Sequence, residues 1–302
     1  MTKTVVREIQ ARTLLNRVAG PDPWFGLDYG MNLYRGCEHR CVYCDSRSTC
    51  YGIDGFDREV LVKKNAVALL ERELRGKRRK GVVGTGSMND PYQPVEAERG
   101  LVRAALQLLP RYGFGVHVIT KSDLVLRDVD LLRQARRTRV IVSMTITTMD
   151  DRLASKIEPV APPPSRRIAA LRRLAQEGIE TRVTLMPVLP FLEDNEENLG
   201  GVIEAAEQAG VSTIVAAFGV TLRDRQRAYY YRQLDALFPG LRRQYERRYG
   251  ERYVCHVPRA LRLRTWFESS CRERGILTRL PDPVAEPVQL ALWPSEGATE
   301  EG

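Results

Sequence analysis

The chain has 302 residues, 43% of them hydrophobic and 28% charged, enough to bury one large α/β core or two smaller ones. No stretch approaches 18 uninterrupted apolar residues, which excludes a membrane-spanning helix, and the N-terminal MTKTVVREIQARTLLNRV lacks the apolar run of a secretion signal, so a cytoplasmic location is expected. The formal net charge of +9 attracts polyanions, but Lys supplies only 7 of the 47 basic residues; an Arg excess also follows from GC-rich codons, so basicity alone selects no partner.

Residues 1 to 30 read as an N-terminal extension. A strand over residues 32 to 35 then leads into three of the chain's six cysteines, Cys37, Cys41 and Cys44. On a helix this spacing would form one stripe, but seven residues rise about 10 Å, too far for three sulfurs to meet around one compact centre. A shared centre therefore requires a loop, which Gly36 suits. The neighbours Arg35, Glu38, His39, Arg40, Asp45 and Arg47 are polar, a poor setting for cysteines buried as small apolar groups. Two metal readings stay open. One is zinc with His39 as fourth ligand, although no second C-x-x-C follows; the other is an iron-sulfur cluster with one iron left open. Cys50, Cys255 and Cys271 are scattered and suggest no disulfide framework.

Downstream, apolar residues at three- and four-residue spacing predict helices in KKNAVALLERELRG, AERGLVRAALQLL, LVLRDVDLLRQARR, SRRIAALRRLAQEG and NEENLGGVIEAAEQAG. Between them, β-branched runs predict strands over residues 82–86, 115–120, 140–146, 181–188 and 212–218. With the strand at 32–35 these make six β/α units. The expected fold class is α/β, a partial (β/α)6 barrel over residues 31–222. A helical layer dense in Arg and Tyr follows over 223–284, and then a mobile tail over 285–302, rich in Pro, Glu and small residues.

Functional groups in β/α barrels gather at the carboxyl ends of the strands. After the second strand, GTGSMNDPYQP offers Gly84, Thr85 and Gly86 for close backbone approach, and Ser87, Asn89 and Asp90 for polar contacts; a plain turn uses the same residue types. Lys121 ends the third strand, placed to pair with a carboxylate. Along the fourth, Ser143, Thr145 and Thr147 share one face, and hydroxyls where barrel interiors carry Val, Ile and Leu indicate a cavity. His117, among aliphatic neighbours, reads as structural, and His256 is unassigned.

C-x3-C-x-aromatic-C after the first strand, with Tyr43 as the aromatic, resembles the signature of radical S-adenosylmethionine (SAM) enzymes. The wider pattern NLYRGCEHRCVYC, GTGSMNDPYQPVE, VITKSDLVLRDVDLL, VSMTITT and IEP resembles the DNA-repair-photolyase-like branch, relatives of spore photoproduct lyase. The resemblance implies that Cys37, Cys41 and Cys44 hold a 4Fe-4S cluster whose open iron chelates the amino and carboxylate groups of SAM. It implies a 5′-deoxyadenosyl radical that takes hydrogen from a substrate, an external reductase or flavodoxin-type electron donor, and SAM contacts from Tyr43, the Gly84-to-Asp90 loop, Lys121, Ser143 and Thr145. Repair or modification of nucleic acid is the implied function. The alternatives are a radical SAM enzyme acting on a peptide or small molecule and, in a different class, a non-catalytic zinc-stabilised nucleic-acid-binding protein.

The chain departs from that branch at one position. Spore photoproduct lyase has a hydrogen-donating cysteine just beyond the second strand, where this chain has Ser87, whose O–H bond is too strong for the task. Candidate substitutes are Cys255 and Cys271, with Tyr92, Tyr229, Tyr230 and Tyr231 as relay residues. The helices RDRQRAYYYR and RRQYERRY carry Arg for phosphates and Tyr for stacking on bases, although solvated helices with inward Tyr share that pattern. In the tail, QLALW, with Gln289, Leu290, Leu292 and Trp293, resembles the peptide by which bacterial repair proteins hook onto the DNA sliding clamp.

Overall fold

The computed structural model describes residues 4–56 and 58–280. The tail over 285–302 and the clamp-like Gln289, Leu290, Leu292 and Trp293 lie outside the described residues. In chain order the elements are β1 (Val5–Ile9), β2 (Leu15–Arg17), β3 (Tyr29–Met31), β4 (Tyr34–Arg35), β5 (Glu59–Lys63), α1 (Ala66–Gly76), β6 (Val82–Thr85), α2 (Glu96–Arg99), α3 (Leu101–Arg111), β7 (Gly115–Thr120) and α4 (Val129–Gln134). They continue with β8 (Val140–Thr145), α5 (Asp151–Ile157), α6 (Pro164–Gln176), β9 (Glu180–Leu185), α7 (Glu196–Gln208), β10 (Thr213–Ala216), β11 (Gly219–Thr221), α8 (Asp224–Leu237), α9 (Leu241–Tyr249), β12 (Val254–His256) and α10 (Ala260–Glu273). No described helix is long and apolar enough to cross a membrane.

The main sheet runs β10-β9-β8-β7-β6-β3-β2, with β3, β6, β7, β8, β9 and β10 parallel and only β2 antiparallel at the edge. Six parallel strands with helical crossovers make the α/β partial barrel that the alternating pattern predicts. The first of them is β3, not residues 32–35. Tyr34 and Arg35 do form a strand, but it turns away and pairs with β5 in a second sheet ordered β1-β5-β4. A short extended run carries no label for its partner; pairing with β5, more than twenty residues on, decides it.

The helix predicted over AERGLVRAALQLL breaks at Gly100, which at φ +62° separates α2 from α3. The one predicted over LVLRDVDLLRQARR begins as a 3-10 turn, Asp123–Asp128, before α4. Other elements fall outside the predicted ones: the strands β1, β2 and β5, the β11–β12 hairpin, and α5, seven residues capped by Asp150, whose side chain accepts from the N–H groups of Arg152 and Leu153.

Strand alternation sorts the barrel's two faces. Val116, Val118, Val142, Met144, Val183 and Leu185 point outward into the apolar core beneath the helices. The inward face is polar. His117 and Ser143 meet there at 2.6 Å, and the other ring nitrogen, Nδ1, lies 3.1 Å from the Phe25 carbonyl. A carbonyl only accepts, so Nδ1 carries the hydrogen and Nε2 accepts from the serine hydroxyl. Burial favours that neutral ring, pushing the His117 pKa down to about 3. Phe25 stands edge-on to His117, and Leu27 fills the space where a Cβ on Gly84 would lie, so the N-terminal segment closes the barrel's lower end.

Candidate metal and cofactor site

From Gly36 to Cys44 the chain forms turns and no helix. Gly36 has φ +82°, and a Cβ there would lie 2.5 Å from the Glu59 carbonyl oxygen, so only glycine makes this bend. Arg40 sits at φ 55°, a conformation that a side chain other than glycine holds only when its surroundings enforce it. Those surroundings are hydrogen bonds from other elements. The Val42 N–H donates to the Ile157 carbonyl at 2.8 Å, and the Val160 N–H to the His39 carbonyl at 3.3 Å. The Glu38 N–H donates to Gln93 Oε1 at 2.9 Å, and Gln226 Nε2, near the start of α8, donates to the Tyr43 carbonyl at 3.2 Å. Arg47 Nη2 donates to the Cys41 carbonyl at 3.3 Å.

Held this way, Cys37, Cys41 and Cys44 line one cavity of about 140 Å³, together with the Gly86–Asp90 loop, Lys121 and Thr145. Gly86 has φ +96°, and a Cβ would overlap the Ile119 carbonyl oxygen at 2.1 Å, so the β6 loop passes as close to β7 as backbone allows. Asp90 fixes that loop. Its Oδ1 accepts from the Thr120 hydroxyl at 2.6 Å and the Tyr92 N–H at 2.8 Å, its Oδ2 accepts from the Lys121 N–H at 2.6 Å, and His39 Nδ1 is 3.3 Å away. Burial would raise this carboxyl, but His39 and these donors prevail and hold its pKa at about 2.

On the other side of the cysteines lies a buried charge cluster. Glu158 accepts a short hydrogen bond from the Tyr43 hydroxyl and pairs with Arg167 at 2.5 Å, while the Lys121 ammonium stands 3.9 Å away. Burial opposes charge on Glu158 and Lys121 alike. Arg167 and Lys121 nonetheless pull the Glu158 pKa below its ordinary value, and Cys41 and Glu158 push that of Lys121 above its own. Lys121 is thus a fixed cation at the cavity wall. Burial pushes the Cys37 thiol up, and the Cys41 thiol up to about 12, so a metal must displace protons to bind here.

The structure therefore brings Cys37, Cys41, Cys44, Gly86, Ser87, Asn89, Asp90, Lys121 and Thr145 around one cavity. Tyr43 lies behind it on Glu158, Gly84 packs on Leu27, and Thr85 is buried. Ser143 spends its hydroxyl on His117, which leaves it no part in the cavity lining. Tyr92 donates to Asp128 at 3.0 Å, outside the cavity. Cys255 packs among Tyr43, Tyr230 and Tyr231, and Cys271 on α10 lies in the main core; burial raises the two thiols to about 11 and about 12. Neither reaches the cavity. Glu158, Arg167, Gln93 and Gln226 went unassigned in the sequence, where only the IEP pattern touched Glu158; their partners are distant in the chain.

A family model, the Radical SAM superfamily, matches residues 31–200. The chain belongs to the radical SAM superfamily. The Mycobacterium tuberculosis protein Rv2578c is 32% identical over 249 residues, 80% of this chain and 73% of that protein. The Methanocaldococcus jannaschii protein MJ0683 is 32% identical over 201 residues, covering 66% and 73% respectively. Among solved structures, spore photoproduct lyase complexed with dinucleoside spore photoproduct superposes with a TM-score of 0.67, 15% identity and coverage of 90% of this chain and 81% of the other. At that identity the likeness is one of fold.

Radical SAM proteins use a 4Fe-4S cluster and SAM. The donor set fits the cluster: three thiols surround a cavity, whereas among the described residues no three His, Cys, Asp or Glu side chains converge as a single ion would require. His39, the fourth ligand in the zinc reading, faces Asp90 instead.

Glu193, between β9 and α7, is fully buried, and its Oε1 has no hydrogen-bond partner among the described residues. Burial pushes its pKa up from 4.5 to about 8, and the charges of Glu158 and Asp194 act in the same direction. Between those values the folded chain keeps a proton that the unfolded chain has lost, so stability falls as pH rises, by up to about 1.4 kcal/mol per pH unit. In Glu193→Gln that decline should flatten, as read by urea unfolding from pH 5 to 8; an unchanged slope would assign it to other groups.

Proposed function

We propose that the protein is a radical SAM enzyme acting on nucleic acid in repair or modification. The observation that carries the chemistry is the single cavity shared by three thiols, a lysine held cationic and a glycine loop with no room for a side chain. When bound, the cluster supplies one electron to SAM's sulfonium, which breaks a carbon–sulfur bond and leaves a 5′-deoxyadenosyl radical. The chain's own part is to hold and orient. Cys37, Cys41 and Cys44 would hold the cluster, Lys121 would pair with the SAM carboxylate, and the backbone at Gly86 and Ser87 would leave room for the methionine portion. A cavity of about 140 Å³ suits that end of SAM rather than the whole molecule, since ligand sites generally run to roughly 300–1,000 Å³.

Support for nucleic acid comes from the fold shared with a lyase solved with a dinucleoside spore photoproduct, and the net charge of +9 is compatible with it without selecting it. Four of the five tyrosines of α8 and α9 give no support; the fifth, Tyr229, is half-buried with the Arg47 guanidinium over its ring. Tyr230, Tyr231, Tyr245 and Tyr249 are buried, with Tyr230 and Tyr245 hydroxyls 2.9 Å apart, so those rings pack inward and do not stack on bases. Ser87 and the distant Cys255 and Cys271 leave the lyase's thiol hydrogen donation without a counterpart, which points to a different fate for the substrate radical.

The test is hydrogen transfer. Holoenzyme with SAM, a reductant and a deuterated oligonucleotide should yield 5′-deoxyadenosine carrying deuterium, and faster than without the oligonucleotide. Unlabelled product at an unaltered rate, with peptides giving the stimulation instead, would move the substrate to the peptide class.

A further inference from the structure

Beside the cysteine loop, Ile53 and Phe56 pack against Cys37, with Cys44 and Tyr51 at the edge of the same small cluster. On the far side of this layer is a surface pocket of about 390 Å³. Its wall is Arg47, whose guanidinium carbon lies 4.8 Å from the Phe56 ring centre and 3.7 Å from that of Tyr229. Arg225 anchors the pocket to the loop, donating to the Arg47 and Ile53 carbonyls at 2.5 and 2.7 Å and pairing with Asp54 at 2.8 Å. Arg58 and Arg232 complete the rim. Both are exposed, and neither has a carboxylate partner among the described residues; Arg232 leans over the Tyr229 ring at 5.9 Å.

This pocket shares no lining residue with the cysteine cavity. A substrate must reach that cavity to lose a hydrogen atom. An electron has only to reach a thiolate-bound iron, and Phe56, which lines the surface pocket, belongs to the same small apolar cluster as Cys37. The pocket on the loop's other flank, which includes His39, has its two arginines, Arg127 and Arg166, paired with Glu96 and Asp123 and no further Arg or Lys in its lining among the described residues.

We propose that the face formed by Arg58, Arg225 and Arg232 is the docking site of an acidic one-electron carrier protein of the flavin or iron-sulfur type. The inference rests on the radical SAM reading and adds the point of electron entry. Carboxylates of the carrier meet Arg58 and Arg232; the carrier is oxidised by one electron, the cluster is reduced by one, and no bond or proton is exchanged. Unpaired rim cations of this kind speed encounter and make it salt-dependent, which suits a partner that must leave after each electron.

The test uses holoenzyme, wild type and Arg58→Glu/Arg232→Glu, with flavodoxin as the probe. Flavodoxin binding at low salt, followed by anisotropy, should weaken roughly tenfold in the variant and lose most of its salt dependence. Flavodoxin-driven SAM cleavage should slow by a similar factor while dithionite-driven cleavage stays at the wild-type rate. Unchanged flavodoxin binding overturns the proposal. So does a variant that loses oligonucleotide affinity but keeps flavodoxin, which would give the face to nucleic acid. A wild type idle with both reductants overturns the functional reading itself, and this proposal with it.

Discussion

Replacing Cys37, Cys41 or Cys44 singly with Ala should abolish 5′-deoxyadenosine formation. The three thiols line one cavity and no other cysteine reaches it: Cys255 and Cys271 are buried in other parts of the core, and Cys50 is exposed outside the cavity lining. A cluster left with two thiolates has no local replacement, so the loss should be complete rather than graded. The fold should survive, since the loop is fixed by hydrogen bonds to Ile157, Gln93, Val160 and Gln226 that do not involve sulfur. Iron and sulfide content together with far-ultraviolet dichroism measure both halves. A single variant that keeps a full cluster and cleaves SAM would remove that cysteine from the ligand set.

The second large effect is expected from Glu158→Gln. Glu158 is almost fully buried between Arg167, Lys121 and Tyr43, and its loss leaves the Arg167 guanidinium, itself fully buried, without its anion. Breaking one side of a buried pair costs about 3–5 kcal/mol because an uncompensated charge remains behind. The same change frees the Tyr43 hydroxyl and so loosens the segment between Cys41 and Cys44, so cluster occupancy should drop with stability. Urea unfolding checks the first, iron content the second. Arg167→Gln in the Glu158→Gln background should cost much less than it does alone, because the two act as one unit. Because the Glu158 pKa is lowered from 4.5, its contribution is complete above that pH and fades on acidification below it, the reverse of the Glu193 dependence. A Glu158→Gln protein as stable as wild type at neutral pH would show that the cluster of charges is not holding the loop.

What could be read from the sequence is what local pattern encodes. Val116, Val118, Val142 and Met144 alternate with His117, Ser143 and Thr145, and that alternation alone gives strands with one apolar and one polar face. The spacing of Cys37, Cys41 and Cys44 required a loop around a shared centre, and the loop is there. What the sequence hid depends on long-range pairing. Tyr34 and Arg35 extend as expected but join β5, because the choice of sheet lies with residues far along the chain. Ser143 occupies the polar face as its period requires, yet His117 from the neighbouring strand takes its hydroxyl. Glu158 and Arg167 resemble ordinary helix-end and helix-surface charges until α5 and α6 fold back against Tyr43. The Arg and Tyr of α8 and α9 are the clearest case, since exposure separates a base-stacking platform from a packed core and composition does not report exposure.

Radical chemistry in this protein requires three thiolates that leave one iron of a cluster free for SAM. The most direct measurement is the electron paramagnetic resonance spectrum of anaerobic, dithionite-reduced holoprotein before and after adding SAM. A reduced 4Fe-4S signal that shifts on SAM addition, and is lost in Cys37→Ala, is the predicted result. A cluster signal indifferent to SAM, or carefully reconstituted protein with no iron-sulfur signal at all, would contradict it.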